Sequence, residues 1–256
     1  MNASPVRRWA LVVAVGSALV LAWHGAIDAA LIVPAPPDFV PHQAIDEAFV
    51  ARFVWLREIA THDLGVRILA AASFLALAGL GRALSSGSHE SGPGAKDTSQ
   101  SMAPAGRLLV VAGLVGAIGQ LIELGGHDAA IEASKSAAPV TSVMLNLFFF
   151  DQVGAAMAAA TWAVFATAAL LGAFATRGWL AIPGVVLGAA LLVIAVSWWI
   201  DDPADLAGSL LTLAGLVLIP VWALSLDRAP VRRPAFAAPV GPRTTESDGS
   251  PDGLQA

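Results

Sequence analysis

Two pairs of residues have the types and spacing from which chemistry could be built: His24-xxx-Asp28 and Glu123-xxx-His127. Residues four apart share one face of a helix. Each pair therefore presents an imidazole and a carboxylate one turn apart. Two imidazoles and two carboxylates form an N/O donor set for a divalent metal, tetrahedral for Zn²⁺ and also compatible with Fe or Mn. The same four groups could instead satisfy one another as two buried His–carboxylate hydrogen bonds, since a polar group out of water needs a partner. A proton or ion relay, or simple contact with headgroups and water, uses the same residues. The pattern contains no HExxH and no two His residues at i, i+4, so it does not by itself select the metal. Gly116 and Gln120 extend the Glu123–His127 stripe along one helix face. His62-Asp63 offers a general base, and His42 lies on the far side of the same segment. His89 falls in a Ser/Gly-rich stretch and reads as solvated.

Several chemistries are excluded or unsupported. With no cysteine there is no disulfide, thiolate metal site or cysteine nucleophile. No GxSxG, GxxxxGK or GxGxxG motif occurs. Heme between His24 and His127 suits neither their different heights nor the neighbouring carboxylates.

The elements that must position these residues are membrane spans. The 256-residue chain is 57% hydrophobic and 13% charged, with a net charge of −5 and a mean hydropathy of +0.72. Soluble domains average about 25% charged residues. This composition excludes a simple soluble domain, a nucleic-acid binder and a disordered chain. Six blocks, at about 9–33, 66–84, 108–130, 155–175, 179–200 and 206–226, approach or exceed the length needed to cross about 30 Å of hydrocarbon. The fold class expected is an all-α integral membrane bundle of six transmembrane helices. Placing the N-terminus inside puts ten of the 14 Lys and Arg on the cytoplasmic side, leaving Arg52, Arg57, Arg67 and Lys135 outside. Both termini are then cytoplasmic. Arg7-Arg8 before an apolar run resembles a secretory signal, but the apolar character continues to Val33, so the block is expected to remain as a span. His24 and Glu123 each lie fifteen residues, roughly 22 Å, from the start of their parallel spans. If spans one and three are neighbours, His24 faces Glu123 and Asp28 faces His127.

The connections differ in character. Residues 85–106 are expected to form a flexible cytoplasmic loop, and 229–256 a disordered cytoplasmic tail, leaving 1–228 as the membrane domain. Between about 42 and 61, Ile45, Phe49, Phe53, Leu56 and Ala60 recur at helical spacing, as in an amphipathic helix on the outer surface or capping the bundle. No helix breaker separates it from span two before Gly65. The run from Val140 to Ala175 exceeds one crossing, so a short interfacial helix and a break near Asp151–Gly154 are expected. Trp residues near block ends predict interfacial belts, with Trp162 the exception. Gly184-xxx-Gly188 is a small-residue packing motif.

The stretch Thr161 to Val193, TWAVFATAALLGAFATRGWLAIPGVVLGAALLV, resembles the end of six-span bacterial membrane families of unknown function, most similarly the DUF4386-like proteins. The resemblance implies a short Arg-containing cytoplasmic turn between two spans and supplies no catalytic residue. Taken together, the sequence reads as a multi-pass protein of the bacterial cytoplasmic membrane. It is a non-enzymatic partner subunit or regulator whose His/carboxylate cluster is internal glue, or a metal-binding protein or metal-dependent enzyme using His24, Asp28, Glu123 and His127. A small transporter is the third reading. The partners expected are the lipid bilayer and another membrane protein or a second copy, with no nucleic acid.

Overall fold

The computed structural model describes residues 4–28, 31–32, 45–86, 95–135, 140–176, 178–197 and 204–226. Their helices are α1 (Pro5–Asp28), α2 (Ile45–Ser85), α3 (Ala95–Lys135), α4 (Val140–Ala175), α5 (Ile182–Ser197), α6 (Ala204–Leu213) and α7 (Ile219–Leu226). A 3₁₀ turn, Gly178–Ala181, precedes α5, and a π-helical turn, Ala214–Leu218, joins α6 to α7. Among the described residues, six helical stretches are long and apolar enough to cross a membrane. The protein is thus an all-α, multi-pass membrane bundle.

Each span packs against the next in sequence, α1 on α2, α2 on α3, α3 on α4 and α4 on α5. The α6–α7 span packs on both α5 and α1, which closes the six into a ring. The start of α1 and the end of α7 lie at one end of this ring, here the base; the end where α3 stops and α4 starts is the head. Bundle helices have no apolar/aqueous gradient to orient them in lipid, and close backbone approach decides their packing. On Gly113 an added Cβ would collide with the backbone of Phe74 and Ala78, so this glycine sets the α2–α3 spacing. Gly184 meets Ala169 and Ala173 of α4 in the same way, so the GxxxG of α5 is used inside the chain. On the opposite faces Val111, Leu114, Ile118 and Leu121 of α3, like Leu11, Val15 and Leu19 of α1, are exposed, a belt that contacts lipid.

At 41, 41 and 36 residues, α2, α3 and α4 are much longer than the roughly 20 residues a bilayer core requires. They overhang at the head. There Leu56 and Ile59 of α2, Ala130 and Ile131 of α3, Val143 and Leu147 of α4 and Ile27 of α1 form a second apolar cluster, separate from the core at the base. The amphipathic segment expected at 42–61 is therefore the first part of α2 from Ile45 on, continuous through Gly65 into the span, with Leu56 and Ala60 of its apolar stripe in this cluster. Residues 42–44 lie outside the described set.

Three expectations are corrected. The segment 85–106 is not one loop, because α3 begins at Ala95 and Met102 and Ala105 are buried at the base; residues 87–94 and the tail 229–256 lie outside the described set. The break near Asp151–Gly154 does not form, and α4 is continuous; Gly154 is buried against Glu123 of α3, so packing holds the helix there. Trp222 is not in an interfacial belt but buried, edge-on to Phe165 with centroids 5.3 Å apart.

The π turn has a local cause. Pro220 lacks an N–H and clashes with the carbonyl one turn back, which loosens the turn before it. The Ile219 N–H reaches Ala214 O, five residues back. This releases the Gly215 carbonyl, and the Ser17 hydroxyl of α1 donates to it at 3.1 Å.

Candidate functional site: a capped cavity on the bundle axis

A cavity of about 290 Å³ lies between α1, α2, α3, α4 and the α6–α7 span. Each wall is a helical stripe. Helix α1 contributes Val13, Ser17, Leu21 and His24; α2 contributes Asp63, Arg67, Ala70, Phe74 and Leu77. Positions spaced by three and four share one face, so a single stripe per helix suffices. Helix α3 adds Gly116, Gly119, Gln120 and Glu123, and α4 adds Gly154, Ala158, Thr161, Trp162 and Phe165.

The polar groups are not spread evenly. His24, Asp63, Arg67, Gln120 and Glu123 gather toward the head. Arg67 Nε donates to Asp63 Oδ1 at 2.9 Å, one turn away on α2. Arg67 Nη1 donates across to Glu123 Oε2 of α3. His127 Nδ1 donates to the second oxygen, Asp63 Oδ2, at 2.9 Å. Helices α2 and α3 run in opposite directions, so the i, i+4 pair Asp63/Arg67 meets the i, i+4 pair His127/Glu123 as two rungs. The four side chains are only 14–20% exposed. Ion pairs at such burial need good geometry to offset desolvation, and sharing one carboxylate between Arg and His supplies it. Glu123 Oε1 has no hydrogen-bond partner among the described residues.

About seven residues toward the base from Arg67 and Glu123, roughly 10 Å at 1.5 Å per residue, the wall becomes aromatic. Phe74 and Trp162 are 5.8 Å apart by ring centroid, and Trp162 stacks on Phe165 at 6.5 Å. Between the two tiers stand Ala70, Gly119 and Ala158. The methyl groups of Ala70 and Ala158 and the bare backbone of Gly119 fill little of this level.

The spacing rule that singled out Glu123 and His127 holds, but the partner helix differs. Helix α2, not α1, lies against α3, so Glu123 meets Arg67 instead of His24, and His127 meets Asp63; the expected pairing of His127 with Asp28 falls outside the described residues. His24 shares the cavity with Glu123; the side chain of Asp28 lies outside the described set. For the expected metal set of His24, Asp28, Glu123 and His127, no group of three or more His, Asp and Glu side chains among the described residues is arranged to hold an ion. Arg67 is the site residue that reading by spans missed, since it was counted only as an outer charge. Its signal was present: Asp63-xxx-Arg67 has the same i, i+4 spacing, at the mouth of span two. His62 lies edge-on to Trp23 at 6.4 Å, outside the ion-pair network.

The fold and site define a multi-pass α-helical membrane protein with an internal, polar-capped cavity. No family model, curated protein or solved structure matches the chain.

Proposed function

We propose that this protein is a non-enzymatic component of the bacterial cytoplasmic membrane, both termini cytoplasmic, that binds a compact and largely apolar molecule bearing one polar end. The observation that carries this reading is the cavity. Its volume lies at the lower end of small-molecule sites, and its walls are mostly apolar with a few convergent polar groups, as such sites are built. Charged side chains at membrane depth are costly and mark functional sites. Here they also lock α2 to α3, so the same cluster is both glue and lid. The orientation follows from the Lys/Arg distribution, which puts the head and the polar tier of the cavity on the outer side.

The test is binding of 4-phenyl-1-butanol, an apolar molecule with one hydroxyl. Native mass spectrometry of the protein released from micelles is expected to show one bound molecule per chain. Ala158→Phe, which fills the middle of the cavity, is expected to abolish it while circular dichroism stays unchanged; Ala158→Leu is expected to weaken it. Equal adduct formation by wild type and both variants would refute the reading.

A further inference from the structure

The polar tier also says which kind of head the cavity takes, an inference that rests on the cavity being a binding site. We propose that its ligand is a compact organic ammonium, tertiary or quaternary, seated between Glu123 above and the aromatic rings of Trp162 and Phe74 below.

Charge is the first argument. Among the described lining residues, Asp63, Arg67 and Glu123 bring two carboxylates against one guanidinium, a formal charge of −1 from these three side chains. An excess negative charge away from water is expensive until a cation joins it. The guanidinium gives Nε to Asp63 and Nη1 to Glu123, so its charge is already outweighed by two carboxylates, and only its remaining N–H groups are left to an anion. A carboxylate or phosphate ligand there would break neither of those bonds but would add further negative charge to a wall that already carries the excess. A cation breaks none, and Glu123 Oε1 has no other hydrogen-bond partner among the described residues.

The second argument is the floor. Aromatic rings present a negative face, and an ammonium within about 6 Å of a ring centroid is attracted to it, most strongly by Trp. The carboxylate and aromatic tiers are about 10 Å apart along the helix axes by their sequence offset. A cation midway is therefore in reach of both. The level between them is walled by Ala70, Gly119 and Ala158, which leave room for substituents on nitrogen. The apolar remainder of the ligand then points toward Leu77 and Ile219 at the base end of the cavity.

The experiment compares benzyltrimethylammonium with its neutral carbon isostere, neopentylbenzene, and with 4-phenylbutanoate, on the full chain in micelles. Affinities come from competition against 4-phenyl-1-butanol. The ammonium is expected to bind at least about tenfold more tightly than either comparator, the combined effect of one charge pair and one aromatic face. Glu123→Gln is expected to erase that preference. Trp162→Leu, which leaves the ion pairs in place, is expected to lower ammonium affinity by about 3- to 30-fold. Equal binding of ammonium and isostere, or tighter binding of 4-phenylbutanoate, overturns the cation assignment while binding of 4-phenyl-1-butanol keeps the cavity reading. Binding of none of the four overturns both.

Discussion

Asp63 is the residue on which the two rungs between α2 and α3 depend, and Asp63→Asn measures what the network contributes. The substitution is nearly isosteric and removes the charge that accepts from both Arg67 and His127. An exposed ion pair contributes about 0.2–1 kcal/mol. Removing one partner of a fully buried pair costs about 3–5 kcal/mol, because the other charge is left uncompensated. These side chains are 14–18% exposed, closer to the second case. Glu123 still holds Arg67, which limits the loss. The expected cost is about 2–3 kcal/mol, roughly 30- to 150-fold in the unfolding equilibrium. Reversible unfolding by sodium dodecyl sulfate in mixed micelles reads it, with tryptophan emission as the signal. A cycle with His127→Ala should show a coupling of about 1 kcal/mol or more, since residues in one network are not additive. If Asp63→Asn changes stability by less than about 0.5 kcal/mol, or the two substitutions are additive, the network is not a structural lock.

Three further outcomes are expected. Gly154→Val should push the Glu123 carboxylate off Arg67, costing about 1–3 kcal/mol, and should cost much less in a Glu123→Ala background, since an added Cβ at Gly154 meets Cγ, Cδ and Oε1 of Glu123; equal cost in both backgrounds would show that the contact is unimportant. Ser17→Ala should leave the Gly215 carbonyl without its donor and cost about 0.6 kcal/mol, at most about 1.7, as for other interhelical hydrogen bonds in membranes; no change in detergent unfolding would mean that the π turn satisfies itself. The absence of cysteine makes single-cysteine topology clean: Lys135→Cys at the head should react with an impermeant maleimide on intact cells and Ser86→Cys at the base only after permeabilisation, and the reverse pattern would invert the orientation.

Much of the fold is legible in the sequence, because length and hydropathy decide what crosses a bilayer. Span limits are less so. The blocks end where hydropathy falls, yet α2, α3 and α4 continue past the hydrocarbon because their overhangs bury Leu56, Ile131 and Leu147 against one another. The site was half legible. Glu123 and His127 stand out because few charged residues interrupt the apolar blocks, and their i, i+4 spacing gives the face. Which helix supplies the partners depends on neighbour order around the ring, which is set by close approaches such as Gly113 on Phe74. Hydropathy carries no information about that order. The same holds for the cavity, whose space comes from Ala70, Gly119 and Ala158 meeting at one level from three helices.

The central claim is that this space receives a ligand, and the most direct measurement is an experimental structure of the chain equilibrated with 4-phenyl-1-butanol. The expected result is one molecule on the bundle axis, its ring against Trp162 and its hydroxyl toward Glu123 and Arg67. A cavity closed by side chains, or the molecule found only on the lipid-facing surface, would contradict it.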